Sequence, residues 1–176
     1  MSTTDETDNL VARAKYGDTD ALTALYDLYA PHIFRYAFTI VRNSDTAEDV
    51  VSEAFLRAWT HLPTFRGTNF RAFLYKIARN YAFDVLRKDT HCEPLTGEPA
   101  DSTKESDVMK QAITSEDARR VINALTQLPE RYKEVVTLRF LEELSVKETA
   151  EVTGLSEIAV RVTQNRGLKK LEKLLS

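Results

Sequence analysis

Residues 56–88 read LRAWTHLPTFRGTNFRAFLYKIARNYAFDVLRK and hold two kinds of side chain that can act together. Arg57, Arg66, Arg71, Lys76, Arg79, Arg87 and Lys88 are opposed by one acid, Asp84. Trp59, Phe65, Phe70, Phe73, Tyr75, Tyr81 and Phe83 lie between them. Cations that meet phosphates and rings that meet unstacked bases are the chemistry of single-stranded nucleic acid binding. A core helix with a solvated basic face explains the same composition without any ligand.

A second set lies near the end of the sequence. Ile158, Arg161, Val162, Asn165, Arg166, Lys169 and Lys173 fall on one face of a helix that runs from Glu157 to about Leu174. Arg and Asn on the early turns reach base edges in a major groove, and the later cations suit phosphates. Catalytic patterns are absent. His32, His61 and His91 are scattered, and His91-Cys92 lacks the paired spacing of a metal site. Neither a glycine-rich phosphate loop nor a nucleophile motif occurs, so the sequence calls for no enzyme, no metal and no cofactor.

The elements that must position these residues follow from periodicity. Phe70, Leu74, Ile77, Tyr81 and Val85 make one buried helical stripe, with Asn69 as its cap and Lys76, Arg79, Asn80, Phe83 and Arg87 opposite. Pro63 and Gly67 break any helix over Leu62–Asn69, a loop that presents Phe65 and Arg66 beside the basic face. Upstream, Leu10–Tyr16 and Asp20–Tyr29 read as helices, and Pro31 fits the first turn of a third that carries Ile33, Phe34, Tyr36, Ala37 and Ile40. Asp45, with Glu48 three residues on, has the spacing of a capping box. The helix that follows buries Ala47, Val50, Val51, Ala54, Phe55 and Ala58, and turns Asp49, Ser52, Glu53, Leu56 and Thr60 outward. A leucine among exposed acids suits a protein contact, although a single exposed apolar residue is equally common on inert surfaces.

In the second half, Ser115 with Glu116 and Asp117 opens a helix whose apolar face is Val121, Ile122, Leu125 and Leu128. Pro129 ends it and starts another that buries Val135, Val136 or Leu138, and Leu141. Ser145-Val-Lys-Glu148 is a capping box, Gly154 makes a turn, and Ser156 caps the final helix. Ala150, Gly154 and Val160 are spaced as in a helix-turn-helix. Val160, Thr163, Gly167, Leu171 and Leu174 then face inward. With no alternating stretch, the fold class is all-α: two small helical domains joined by a flexible acidic linker, the second containing the helix-turn-helix.

The 176 residues suffice for two small domains, and 43% hydrophobic with 29% charged is a globular composition. The net charge of −3 is unevenly spread. Residues 156–176 carry five cations against two acids, whereas residues 89–118 carry eight acids against two cations. Two basic patches separated by an acidic connector suit two binding modules. The expected division is a disordered tail over 1–9, a first domain over 10–88, a linker over 89–114 and a second domain over 115–176. No leader and no long apolar run is visible, and the single Cys92 forms no internal disulfide, so a cytoplasmic protein without membrane insertion is expected.

Taken together, the sequence resembles an extracytoplasmic-function sigma factor of bacterial RNA polymerase. The resemblance rests on LYDLYAPHIFRYAFTIV, AEDVVSEAFLRAW and FRGTNFRAFLYKIARNYAFDVLRK in the first half. In the second half it rests on LPERYKEVVTLRFLEELSVKETAEVTGLSEIAVRVTQNRGLKKLEKLL. It implies a first domain that binds the β′ coiled coil of core polymerase through Asp49, Ser52, Glu53, Leu56 and Arg57. The same domain would melt the −10 element, with Phe65, Arg66, Thr68 and Asn69 in the base-capturing loop and Lys76, Arg79, Asn80 and Phe83 beside the opened strand. The second domain would read the −35 element through Ile158, Arg161, Val162, Asn165, Arg166 and Lys169 and meet the β flap. The linker would thread the polymerase channel, and an anti-sigma factor is a further implied partner. Ser52, Thr149, Thr163, Gln164 and Gly167 depart from the family's common residues, which bears on promoter preference. The alternative is a helix-turn-helix regulator with a ligand-sensing or protein-binding first half, which predicts a palindromic site.

Overall fold

The computed structural model describes residues 3–91 and 116–176, and every regular element among them is helical. The expectations placed on Ser115, on Cys92 and on most of the linker lie outside the described residues. Helix α1 covers Thr3–Ala14, so helix begins within the stretch expected to be disordered. Gly17, at φ 82°, turns the chain, and Asp18 caps α2 by accepting from the backbone N–H groups of Asp20 and Ala21. The hydrogen bond from Ala21, followed by that from Arg13, holds the Asp18 carboxyl below its usual pKa.

Helix α2 is continuous over Thr19–Val41, with Pro31 in its interior. The expected break at Pro31 is therefore absent. A mid-helix proline costs about 3 kcal/mol in isolation. Here Ala21, Leu25 and Tyr29 before it and Ile33, Tyr36, Ala37 and Ile40 after it are all buried, and their burial outweighs that cost. Arg42, at φ 57°, ends α2 in the left-handed region. Helix α3, Ser44–His61, is then capped by Asn43, whose Oδ1 accepts from Thr46 N at 2.8 Å. Asp45, the expected cap, already lies inside the helix, because the extended backbone falls at Asn43. The expected inward residues of α3 are all buried.

A 3-10 turn over Leu62–Thr64 leads through the loop to α4, Phe70–His91, capped by Asn69 as expected. Phe70 and Leu74 are buried, and Ile77, Tyr81 and Val85 are half-buried. Ala72, Tyr75, Ala78 and Ala82 are buried as well, since α4 is covered on a second side.

The second half comprises α5 (Glu116–Thr126), α6 (Glu130–Val136), a π-helical turn (Thr137–Leu141), α7 (Val146–Thr153) and α8 (Glu157–Leu175), of which α7 packs most closely on α4. Leu125, Leu128 and Val136 form a small core of their own with Val121, Tyr132, Leu141 and Leu171 against it. Leu138, Leu144 and Val152 instead join the large core built by α1–α4. The two halves are thus packed on one another.

On α8, Val160, Thr163 and Gly167 are buried as expected, but Leu174 is 43% exposed, because it lies in the final turn. Gly167 marks the crossing of α8 over α6: a Cβ there would lie 2.8 Å from Val136 Cγ2 and 3.4 Å from Tyr132 Cβ. Gly167→Ala gains about 1 kcal/mol of helix propensity. Overpacking against the stiff, buried Val136 costs about 1–3 kcal/mol. The net result should be a melting temperature lower by about 2–4 °C per kcal/mol lost, read by calorimetry.

Candidate nucleic-acid interface

The second half builds its surface from caps and one turn. Ser145 Oγ accepts from Glu148 N at 3.1 Å, and Ser145 N donates to Glu148 Oε2 at 2.6 Å, so the capping box is complete. Gly154 sits at φ 74°, a conformation that L side chains rarely adopt, and ends α7. Ser156 Oγ accepts from Ala159 N at 3.2 Å and starts α8. With Val160 and Thr163 facing the core, Ile158, Arg161, Val162, Asn165, Arg166 and Lys169 are all exposed. Ile158, Val162 and Arg166 also line a groove of about 250 Å³ with Arg131 and Tyr132 of α6. Arg131 is a cation beside this face that the sequence reading missed, as it lies a full helix away in the chain. Arg139 was missed too. Its Nε donates to Gln164 Oε1 at 2.9 Å and ties α8 to the π-helical turn.

The loop before α4 is ordered from beneath. Phe65 lies with its ring centroid 4.6 Å from Phe73 and edge-on to Phe70, and Trp59 stacks on Phe70. The Phe65 carbonyl accepts from Lys15 Nζ at 2.6 Å, and the same ammonium lies 5.4 Å from the Phe65 ring. A Cβ on Gly67 would meet the Phe65 ring at 2.6 Å, so the tuck of this ring requires glycine. Phe65 therefore braces the loop and is not a free stacking ring. Lys15 gave no signal in the sequence, because its partner is a backbone carbonyl 50 residues away. Arg66 and Thr68 are exposed at the tip.

On α4, Lys76 and Asn80 are exposed. Phe83, expected to be exposed, is half-buried against the core, with the Arg79 guanidinium 4.8 Å from its ring. Arg79 and Asn69 face the second half of the chain. Arg79 is paired with Glu134, and Asn69 Nδ2 donates to Glu148 Oε1 at 2.9 Å. Burial alone would raise the Glu148 pKa, but the bonds from Asn69 and Ser145 outweigh it and hold the carboxyl below its usual value.

The outward face of α3 forms a third surface, which adjoins α4 through Arg57. Asp49, Ser52 and Leu56 are exposed, Leu56 by 62%. Glu53 pairs with Arg57 at 2.6 Å, and Arg57 lies over the Tyr81 ring at 5.1 Å. Three surfaces result: an acidic one with a central leucine on α3, a loop-and-helix one at α4, and a basic one on α8.

Known proteins share this arrangement. Residues 25–91 match the family described as Sigma-70 region 2, and residues 118–171 match Sigma-70, region 4. The chain is 39% identical over 170 residues to the ECF RNA polymerase sigma factor BldN of Streptomyces coelicolor, covering 94% of this chain and 64% of BldN. It is 33% identical to the ECF RNA polymerase sigma factor SigX of Bacillus subtilis, covering 85% of this chain and 80% of SigX. Among solved structures it resembles CnrH, solved in complex with the cytosolic domain of CnrY, with a TM-score of 0.71, 26% identity and 94% of each chain covered. Among the described residues no helix is long and apolar enough to cross a membrane.

A hydrogen bond from a charged donor contributes about 1.5–3 kcal/mol. Lys15→Met keeps the aliphatic stem and removes that donor from the Phe65 carbonyl. Amide exchange over Arg66–Asn69 should quicken by roughly tenfold or more, while α8 exchanges as before.

Proposed function

Because the chain belongs to the ECF sigma factors of RNA polymerase, a family whose members are not themselves enzymes, we propose a division of labour among its three surfaces. The α3 face, with Asp49, Ser52, Glu53, Leu56 and Arg57, meets the β′ coiled coil of core polymerase. An exposed leucine ringed by acids suits a basic helical partner with an apolar seam. The loop and α4, with Arg66, Thr68, Asn69, Lys76, Arg79 and Asn80, take the opened −10 strand. Phe65 and Phe83 act there as braces that hold the loop and the Arg79 guanidinium in place. Ile158, Arg161, Val162, Asn165, Arg166 and Lys169 enter the major groove at −35, and Arg131 adds a phosphate contact beside them.

The observation that carries this reading is the α8 surface. The caps and Gly154 fix the helix, Val160 and Thr163 lock its rotation, and all six residues of α8 expected to face DNA are exposed. Residues 10–88 then serve as the polymerase and −10 module and residues 115–176 as the −35 module, which also meets the β flap. Residues 89–114 connect them through the polymerase channel. An anti-sigma factor is the regulatory partner, and the cytoplasm is the compartment in which all these partners meet. The solved pairing of CnrH with the cytosolic domain of CnrY supports a protein partner for this fold.

Run-off transcription with core polymerase, with and without the full chain, tests the assignment. Initiation from an asymmetric two-part promoter should depend on the chain, with permanganate reactivity at the −10 element. A palindromic site bound equally well without polymerase would overturn it.

The α8 contacts should also separate by type. Arg161→Ala and Asn165→Ala should each cost about 1–3 kcal/mol at the cognate −35 sequence and relax the preference there. Lys169→Ala should weaken all sequences alike and reduce the salt slope by about one. Binding isotherms over a panel of −35 variants at several salt concentrations check both.

A further inference from the structure

The turn that joins α1 to α2 lies against the loop before α4. Lys15, its first residue, ties the two together through the Phe65 carbonyl. The next residue, Tyr16, is 93% exposed, more than any other large hydrophobic side chain among the described residues. Its backbone is nevertheless fixed. Tyr16 N donates to Arg13 O at 3.1 Å, Gly17 N donates to Ala14 O at 3.0 Å, and the Arg13–Asp18 ion pair closes the turn. Val11 and Ala14 are buried and anchor the end of α1. A ring on such a turn presents a rigid flat face, since a tyrosine has only two side-chain torsions to order. The loop and α4 beside it lack one. Phe65 packs on Phe73, Trp59 stacks on Phe70, and the Phe83 ring is covered by Arg79. At its tip the loop offers the cation Arg66 and the hydroxyl of Thr68, but no open ring.

We propose that Tyr16 is a stacking platform for a base of the opened strand, next to the base taken by the loop Leu62–Asn69. The inference rests on the assignment of that loop to the opened strand. Tyr16 follows Lys15 by one Cα–Cα step of about 3.8 Å, and the Lys15 side chain spans the rest of the way to Phe65. The ring therefore stands within reach of nucleotides adjacent to the loop. Lys15 and Arg66 supply positive charge on this side. The carboxylate of Asp18, the acid of the turn, is engaged by Arg13 and by the N–H groups of Asp20 and Ala21, so a phosphate backbone meets no bare acid of the turn. Stacking uses the face that every base has, so the contact adds affinity and leaves base choice to the loop. The surroundings disfavour a protein partner. No second large apolar side chain of the turn is exposed, whereas a protein hot spot is enclosed by neighbouring contacts that exclude water. A base needs only the ring face and a cation near its phosphate.

The test uses holoenzyme, the full chain with core polymerase, on a promoter pre-melted over the −10 element, followed by fluorescence anisotropy. Tyr16→Ala should weaken bubble binding by roughly tenfold, within the range of one lost base–aromatic stack. Tyr16→Phe and Tyr16→Trp keep a ring and should bind at least as tightly as the wild type. Circular dichroism of all three should match the wild type, because the native side chain is almost wholly in water. Single abasic substitutions along the non-template strand then locate the base. One position beside the captured base should cost the wild type about tenfold and Tyr16→Ala nothing further, the non-additivity of a direct contact. Affinity for core polymerase alone should be the same throughout. The proposal is overturned if Tyr16→Ala binds the bubble as the wild type does, or if its loss adds independently to every abasic substitution. A loss shared by Tyr16→Phe, or loss of helix in Tyr16→Ala, overturns it too. So does an equal loss in binding to core polymerase, which makes Tyr16 a protein contact instead. The strand assignment is judged on the wild type alone. If abasic substitutions cost affinity only at positions where Tyr16→Ala loses just as much, the platform fails and the assignment stands; if none costs anything, the strand assignment itself fails.

Discussion

Two carboxylates, Glu134 and Glu142, are withdrawn from water and meet their cations only by crossing from one half of the chain to the other. Desolvating an ion costs several kcal/mol, and a buried pair seldom returns more than that. The attraction between the halves therefore comes chiefly from the apolar residues Leu138, Leu144 and Val152, not from the ion pairs. What the pairs supply is register. A bare carboxylate in this seam would be strongly unfavourable, so the halves fit together in the one alignment that gives each acid its guanidinium and phenol. The same logic makes the seam breakable: once opened, the two carboxylates regain water, and the penalty that opposed a misfit disappears.

The π-helical turn brings one of these acids to its place. Glu142 N donates to Thr137 O, a five-residue step that adds a residue to the turn between α6 and α7. Glu143 follows at φ 54°, a left-handed conformation that a glutamate adopts only at some cost. The Thr137 hydroxyl is buried with no hydrogen-bond partner, a penalty of about 1–3 kcal/mol. Three irregularities within seven residues mark a segment shaped for contact and not for intrinsic stability. A regular helix through residues 137–141 would satisfy its own backbone but rotate Glu142 away from Tyr75 and Arg35.

The helix class, the caps at Asn69, Ser145 and Ser156, the turn at Gly154 and the outward side of α8 were legible in the sequence, because each depends on neighbours within about four residues. What escaped depends on distant partners. Pro31 reads as a helix start, and only the buried residues on both sides of it explain an unbroken α2. Phe65 and Phe83 read as free rings, yet both pack against the large core of the first half. Arg79 reads as a solvated cation, since nothing local reveals Glu134, 55 residues on. Gly167 reads only as an inward position of the last helix, and its close approach to Val136 is visible only once α6 and α8 cross.

The outward sides of α3 and α8 and the seam at α4 differ in how far they are occupied. Asp49, Ser52 and Leu56 on α3 and Ile158, Arg161, Val162, Asn165, Arg166 and Lys169 on α8 are exposed, whereas Arg79 and Asn69 are paired with the second half. A partner that gripped the α3 face and the second half at two separated points would shift any balance between packed and separated halves by its differential affinity alone, with no need to alter either half internally. A protein that bridged the two halves would draw on the same balance in the opposite direction. A few contacts to each half would suffice, because the chain already supplies the seam.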